Sequence, residues 1–168
     1  MFRIGDKVYY PGHGIFTIKM IYDKKRSFEE DSVLVLKPLK AKFPFQRVVL
    51  RCSNALKIGV HKLIDKNQAS LVYEILKKNP PGVSNNRIQK FFEVKQKVFS
   101  SDLFKVAEVI CDLEKSKDFG SIFFRGLWLK KARSRLVEEL SMVNGVSKNL
   151  ENTNINNALF LEKEGSGE

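Results

Sequence analysis

His61-Lys-Leu-Ile-Asp65-Lys-Asn-Gln68-Ala-Ser-Leu71-Val72 is the stretch where the hydrophobic period of this 168-residue chain changes. Before it, short apolar runs are broken by turn residues, the habit of strands. After it, apolar residues recur every three or four positions, the habit of helices. Asp65 followed three residues later by Gln68 is the pattern of a capping box, which satisfies the free N–H groups at a helix start. The chain therefore divides here.

Working back from this point, Phe43 to Leu50 reads as a strand despite Pro44, and Ser32-Val-Leu-Val-Leu36 is another. Ile15 to Tyr22 precedes them, across a charged connection from Asp23 to Asp31. Val8-Tyr9-Tyr10 is the first run, ending at the dense turn signal Pro11-Gly12-His13-Gly14. Four short strands at this spacing predict a small, strongly bent antiparallel sheet or barrel. Gly59 and the residues up to Asp65 form the join.

Working forward, the first helix sets Leu71, Val72, Ile75 and Leu76 on one face and stops at Asn79-Pro80-Pro81-Gly82. A second, about Asn86 to Phe99, sets Ile88, Phe92, Lys95 and Phe99 on one side. Ser100-Ser101-Asp102 caps a third, with Leu103, Val106, Ile110 and Leu113 at helical spacing. After Gly120-Ser121 a fourth carries Trp128, Leu129, Ala132, Leu136 and Leu140 on one arc. Four amphipathic faces need each other, so one bundle is expected. Asn149 to Asn157 is polar, Ala158-Leu-Phe-Leu161 is placed to add one docking turn, and Glu164 to Glu168 is expected to be disordered. The expected fold class is α+β: an N-terminal small antiparallel β domain over 1–61, then a C-terminal α-helical bundle over 62–145 and a polar tail over 146–168.

The chain has 30 Lys+Arg against 19 Asp+Glu, a formal net charge of +11. Residues 1–70 hold 14 cations and 6 acids; residues 71–145 hold 14 and 9. Such an excess points to a polyanionic partner. With 43% hydrophobic residues and 13 Phe, global disorder is excluded. Cys52 and Cys111 stand far apart, which argues against a disulfide framework and for a reduced cytosol. The start is not that of a signal peptide, because Asp6 and Lys7 interrupt any apolar core. No uncharged apolar run approaches the ~18 residues of a membrane span. A soluble, intracellular protein is expected.

Enzymatic constellations are nearly absent. His13 sits in a turn whose glycines relieve backbone sterics, and His61 has no partner ligands at metal spacing. Cys52 is a nucleophile only beside a positioned base, and reads more simply as a small hydrophobe. No catalysis, metal or cofactor is expected. On the second helix, 100° steps bring Arg87, Lys90 and Lys97 within roughly an 80° arc, away from Ile88, Phe92 and Phe99. Such a stripe suits backbone phosphates or is simply a solvated face. Lys131 and Arg135 flank one side of the fourth helix's apolar arc. Trp128 is expected in the core, whereas Leu127 and Phe123 fall off that arc and are left to the tail or to an exposed contact. In the β half, Lys24 lies in a loop, and Arg47 and Arg51 lie at or just beyond the fourth strand. They suit an acidic protein surface, or protect an edge from aggregation.

The order of these motifs resembles the CarD/CdnL family of bacterial transcription regulators. Phe2-Arg-Ile-Gly-Asp-Lys-Val-Tyr-Tyr-Pro-Gly-His-Gly14 is its most specific piece. Ser32 to Lys37, Asn54-Ala55 with Gly59-Val60, Ser101 to Leu113 and Lys131 to Leu140 resemble further family segments, so the likeness spans about 2–142. It implies an N-terminal Tudor-like domain that binds the RNA polymerase β subunit, through cations near Lys24 and near Val49, where Arg47 and Arg51 stand. It also implies a helical domain on double-stranded promoter DNA at the upstream edge of the melted region, with Arg87, Lys90 and Lys97, and secondarily Lys131 and Arg135, as the candidates here. The implied activity is stabilisation of the open complex by a cytoplasmic, nucleoid-associated monomer.

Three positions depart from the family pattern. Arg87 stands about where the family's second helix begins with a wedging Trp, and Trp128 lies two helices too late to replace it. Leu50-Arg51 replaces a Val-Pro, and Gly59-Val60-His61 replaces Gly-hydrophobic-Arg. Two other readings stay open: a general nucleic-acid-binding protein that acts without polymerase, and a protein-only polymerase adaptor that has lost its DNA wedge.

Overall fold

In the computed structural model of the chain, the described residues are 1–22, 31–40, 46–78, 87–115 and 122–160; for 87–90 and 122–123 the backbone alone is described. They form two compact units, Met1–Leu63 and Ile64–Glu168. The first is an antiparallel sheet and the second is helical, so the α+β expectation holds.

Five strands make the sheet, in the order β4-β3-β2-β1-β5: β1 Lys7–Tyr10, β2 Gly14–Tyr22, β3 Val33–Pro38, β4 Val48–Arg51 and β5 His61–Lys62. The Pro11-Gly12-His13 turn joins β1 to β2, with Gly12 at φ 79 and Gly14 at φ 89, a region open to glycine at no steric cost. Val8, Phe16, Ile18, Leu34, Leu36, Ala55 and Val60 form its core. A bulge interrupts the β2–β3 register between Ile18, opposite Leu36, and Met20, opposite Val35. One extra residue reverses the inward–outward alternation beyond it and bends the strand. Ile21 therefore joins the core, while Met20 and Tyr22 turn outward.

Helix α1, Cys52–Lys57, has no counterpart in the sequence reading, since six residues give no usable period. Its start is held from a distance: the Asp31 carboxylate accepts from the Ser53 backbone N–H at 3.1 Å and from the Ser53 hydroxyl. Its end is a Schellman motif. Val60 N–H donates to the Ala55 carbonyl at 2.9 Å and Gly59 N–H to that of Leu56 at 3.0 Å, with Gly59 at φ 84. This explains the Ala55…Gly59-Val60 spacing, and the returning chain forms β5 against β1.

The helical unit contains α2 Lys66–Lys77, α3 Arg87–Phe99, α4 Leu103–Lys115, α5 Ile122–Asn144 and α6 Lys148–Phe160. The capping box at Asp65 is present: Gln68 N–H donates to Asp65 Oδ1 at 2.8 Å, and Asp65 N–H to Gln68 Oε1 at 3.1 Å. Asp102 caps α4 through Phe104 N–H at 2.9 Å. Leu103, Val106, Ala107, Val109, Ile110, Cys111 and Leu113 are all buried, so α4 is the central helix, with one polar side marked by Lys105, Glu108 and Asp112. On α5, Trp128, Ala132, Leu136 and Leu140 face inward as their spacing predicts.

Two faces are rotated from expectation. On α2, Ala69, Val72 and Leu76 are buried, whereas Leu71 is exposed. On α3, Val94 and Val98 face the core with Phe91 packed beside them, while Phe92 and Phe99 are 57% and 47% exposed. Both helices carry more apolar residues than one face holds, and α4 selected which were covered. The tail also differs. Instead of one docking turn, α6 is a 13-residue helix whose Ile155, Ala158 and Leu159 are buried. Glu151, fully buried, accepts from the Tyr73 hydroxyl and, at 3.1 Å, from Asn144 Nδ2. Burial and that carboxylate hold the Tyr73 hydroxyl well above its ordinary range, so it remains a donor. The predicted stop at 79–82, the Gly120-Ser121 pair before the fourth helix and the disorder at 164–168 lie outside the described residues.

Gly126 sits inside α5, where an added Cβ would meet nothing within 4 Å. Gly126→Ala is therefore expected to raise stability by about 0.5–1 kcal/mol, through reduced freedom of the unfolded chain. Urea titration followed by circular dichroism measures it; a loss of stability contradicts the open environment at this position.

Candidate functional site

Two exposed faces, one on each unit, combine apolar and cationic side chains. In the β unit the bulge sets up the first. Cross-strand rungs Met20–Val35–Val49 and Tyr22–Val33–Arg51 run across β2, β3 and β4, with Val35 buried and Val33 half-buried between exposed ends. Val49 is 64% exposed, and Met20 and Tyr22 are also exposed. Arg47 lies exposed just before β4 and Arg51 exposed at its end. β4 closes one side of the sheet order. A flat apolar strip between two guanidinium groups is suited to a protein surface bearing carboxylates. Lys24, expected beside this set, lies outside the described residues. Met20 and Tyr22 are not legible as site residues in the sequence, because plain alternation from Phe16 and Ile18 points both inward.

In the helical unit several cations serve the fold. Arg135, expected at the flank of the apolar arc, is only 7% exposed. Its Nε donates to Glu139 Oε1 at 2.8 Å, and its Nη1 donates to the Ser100 carbonyl and, at 3.4 Å, to that of Val98. It is thus enclosed at the C-terminal end of α3 and unavailable to a phosphate. Lys97 is half-buried, with Nζ 2.9 Å from Glu108 Oε2 and 4.0 Å from Asp112 Oδ2, both on α4. Arg125 holds the last carbonyls of α4, donating to Leu113 at 2.6 Å and Glu114 at 3.2 Å. Arg133 pairs with Glu114 at 2.7 Å and reaches Asn156 Oδ1. Opposite charge at helix C-termini is what the backbone dipoles favour. Arg87 and Lys90 fall in the first turn of α3, and their side chains lie outside the described residues. Lys97, Lys131 and Arg135 all lie at the last turn of α3, but of the three only Lys131 is exposed.

Lys131 does reach the surface. Its Nζ stands 4.2 Å from the centre of the Phe99 ring, a cation–π contact. Around it is the second face: Phe92, Lys95 and Phe99 on α3, and Phe124, Leu127 and Lys131 on α5, all exposed. Phe91 meets Phe92 at 5.9 Å, Phe124 at 5.5 Å and Trp128 at 6.1 Å between ring centres, and Phe99 meets Trp128 at 5.7 Å, all edge-to-face. Trp128 is the buried foundation of this face. Its Nε1 is enclosed and finds no hydrogen-bond partner among the described residues, so the ring serves through its area. Leu127, expected off the core arc, is so. The exposed aromatics of α3 read as core in the sequence because nothing in the helix's own spacing separates them from Phe91, Val94 and Val98.

The titratable groups add no reactive centre to these faces. Burial pushes the Cys111 thiol up to about 11 and raises that of Cys52, so both stay protonated near neutrality. Among the described residues no cluster of His, Cys, Asp and Glu is arranged to hold a metal ion, and no helix is long and apolar enough to cross a membrane. His13 packs against Tyr10, and His61 Nδ1 lies 2.9 Å from the Gly59 carbonyl in the turn it follows.

The family model of the CarD C-terminal domain matches residues 71–156, from within α2 into α6. The match covers just over half of the chain and includes α3, α4 and α5 with the aromatic face they carry. The buried central α4 and the long α5 closed by α6 thus lie within that domain, and this chain belongs to the CarD family of RNA polymerase-interacting transcription factors.

Proposed function

We propose that this protein binds the β subunit of RNA polymerase through its β unit, a Tudor-like domain, and double-stranded promoter DNA through its helical unit. It acts as a cytoplasmic, nucleoid-associated monomer without catalysis or cofactor, and stabilises the open complex at the upstream edge of the melted region. The observation that carries the reading is the outward strip of Met20, Tyr22 and Val49 between Arg47 and Arg51, exposed side chains that take no part in the core of the unit. Lys24 belongs to the same contact. On the helical unit Lys131 is an exposed cation, Arg87 and Lys90 start α3, and Lys97 joins them by exchanging Glu108 for a phosphate. Two weak contacts suffice, because the first raises the effective concentration of the second.

Full-length chain immobilised on resin is expected to retain purified bacterial RNA polymerase. Changing Lys24, Arg47 and Arg51 together to alanine should weaken retention at least tenfold, the usual cost of removing desolvated charges from an interface. A folded wild-type chain that retains no polymerase overturns the reading.

A further inference from the structure

The exposed face of the helical unit has a composition that phosphate binding alone does not require. Phe92, Lys95 and Phe99 lie at i, i+3 and i+7 on α3, and Phe124, Leu127 and Lys131 repeat that spacing on α5. Each set therefore lies along one side of its helix. Phe92 is 57% exposed and Phe99 47%, far more than core phenylalanines show. The rings are also held in place: Phe91 and Trp128 touch the three phenylalanines edge-on from within, at 5.5 to 5.9 Å between centres. Of the six side chains two are cations and none is an acid. Glu138, farther along α5, is paired with Lys148 at 2.9 Å.

Fixed, solvent-facing rings interleaved with lysines match the chemistry of an unpaired nucleic-acid strand. Bases in a duplex hide their flat faces in the stack, so exposed rings gain little from intact double helix. Unstacked bases offer those faces, and any base stacks. The lysines lie where a strand's phosphates would pass; Lys131, now over the Phe99 ring, can turn to a phosphate while a base takes its place. Leu127 adds apolar area at the edge.

We propose that Phe92, Phe99 and Phe124, with Lys95 and Lys131, form a stacking site for unpaired DNA, whose rings take no part in the contact to the double helix and which shares only Lys131 with it. The proposal rests on the reading that the helical unit works beside melted promoter DNA, and it names the form of DNA this face holds.

The test measures fluorescence anisotropy of the full chain with a labelled thymidine strand of about 12 nucleotides, a length within the usual site sizes. A duplex of the same length and a uridine strand are run beside it. Wild type is expected to bind the thymidine strand, with quenching of Trp128, the only tryptophan. Phe92→Ala and Phe99→Ala should each weaken strand binding about tenfold while duplex binding and the thermal melt stay unchanged, and Phe92→Tyr should retain wild-type affinity. If both alanine variants bind the strand like wild type while duplex binding persists, the stacking site is wrong and the DNA reading stands. If wild type binds neither strand nor duplex, that reading fails and takes the proposal with it. Tighter binding of the uridine strand, or displacement of the thymidine strand by polyglutamate at equal charge, overturns the choice of DNA as occupant.

Discussion

Arg135→Ala is expected to destabilise the helical unit by about 3–5 kcal/mol, the range for removing one partner of a buried ion pair. The loss has two parts. Glu139 is fully buried and would lose the guanidinium it is paired with. The carbonyls of Val98 and Ser100 would also be deprived of a donor where α3 ends. Arg135→Lys should recover only a small fraction, because one ammonium cannot reproduce a planar fork that addresses a carboxylate and two carbonyls at once. Replacing both members by Met and Leu should recover most of it, since a buried pair is often matched by apolar side chains of similar volume. Urea denaturation at neutral pH measures all three. An alanine variant within about 0.5 kcal/mol of wild type, the scale of an ordinary surface substitution, would show that the pair is not formed. The same experiment bears on function: any fall in DNA affinity of Arg135→Ala should track the unfolded fraction, whereas a phosphate contact would weaken binding by a folded protein.

Ending the chain at Gly145 is expected to have the second large effect. It removes Ile155, Ala158 and Leu159 from the core and leaves the Tyr73 hydroxyl and Asn144 without the Glu151 carboxylate. Loss of two large core side chains costs about 2–5 kcal/mol each, against a total of about 5–15 kcal/mol for a domain. The truncated helical unit should therefore lose cooperative melting and near-ultraviolet dichroism while keeping much of its helical signal, the mark of a loosened core. A truncated chain that melts cooperatively within a few degrees of the full one would mean that α6 is ornamental. The match to the CarD C-terminal domain runs to residue 156, well into α6, as expected of a helix that belongs to the domain.

Much of this protein is legible from local rules. The capping box at Asp65, the turn at Pro11 to Gly14, the cap at Asp102 and the arc from Trp128 to Leu140 each depend on residues close in sequence. Each has one low-energy outcome, so spacing alone suffices, and with it the order of sheet and helices. Helix α6 is underestimated by such rules for a physical reason. Its Asn-rich sequence has almost no amphipathic signature, and its place depends on Tyr73 and Asn144, the first of them distant in the chain.

The bulge after Ile18, the rotation of α3 and the burial of Arg135 were decided elsewhere. One inserted residue turned Met20 and Tyr22 from core to surface, and only the pairing of β2 with β3 determines where that residue goes. Among the described side chains of α3, three apolar residues had a place against the core and two did not, and the ones left out became the exposed face. The sequence by itself determined the first four strands, helices α2 to α5, the caps at Asp65 and Asp102, and the family. Which side chains those elements hide and which they present was settled by the tertiary structure, because packing chooses among faces that are equivalent in a single helix or strand.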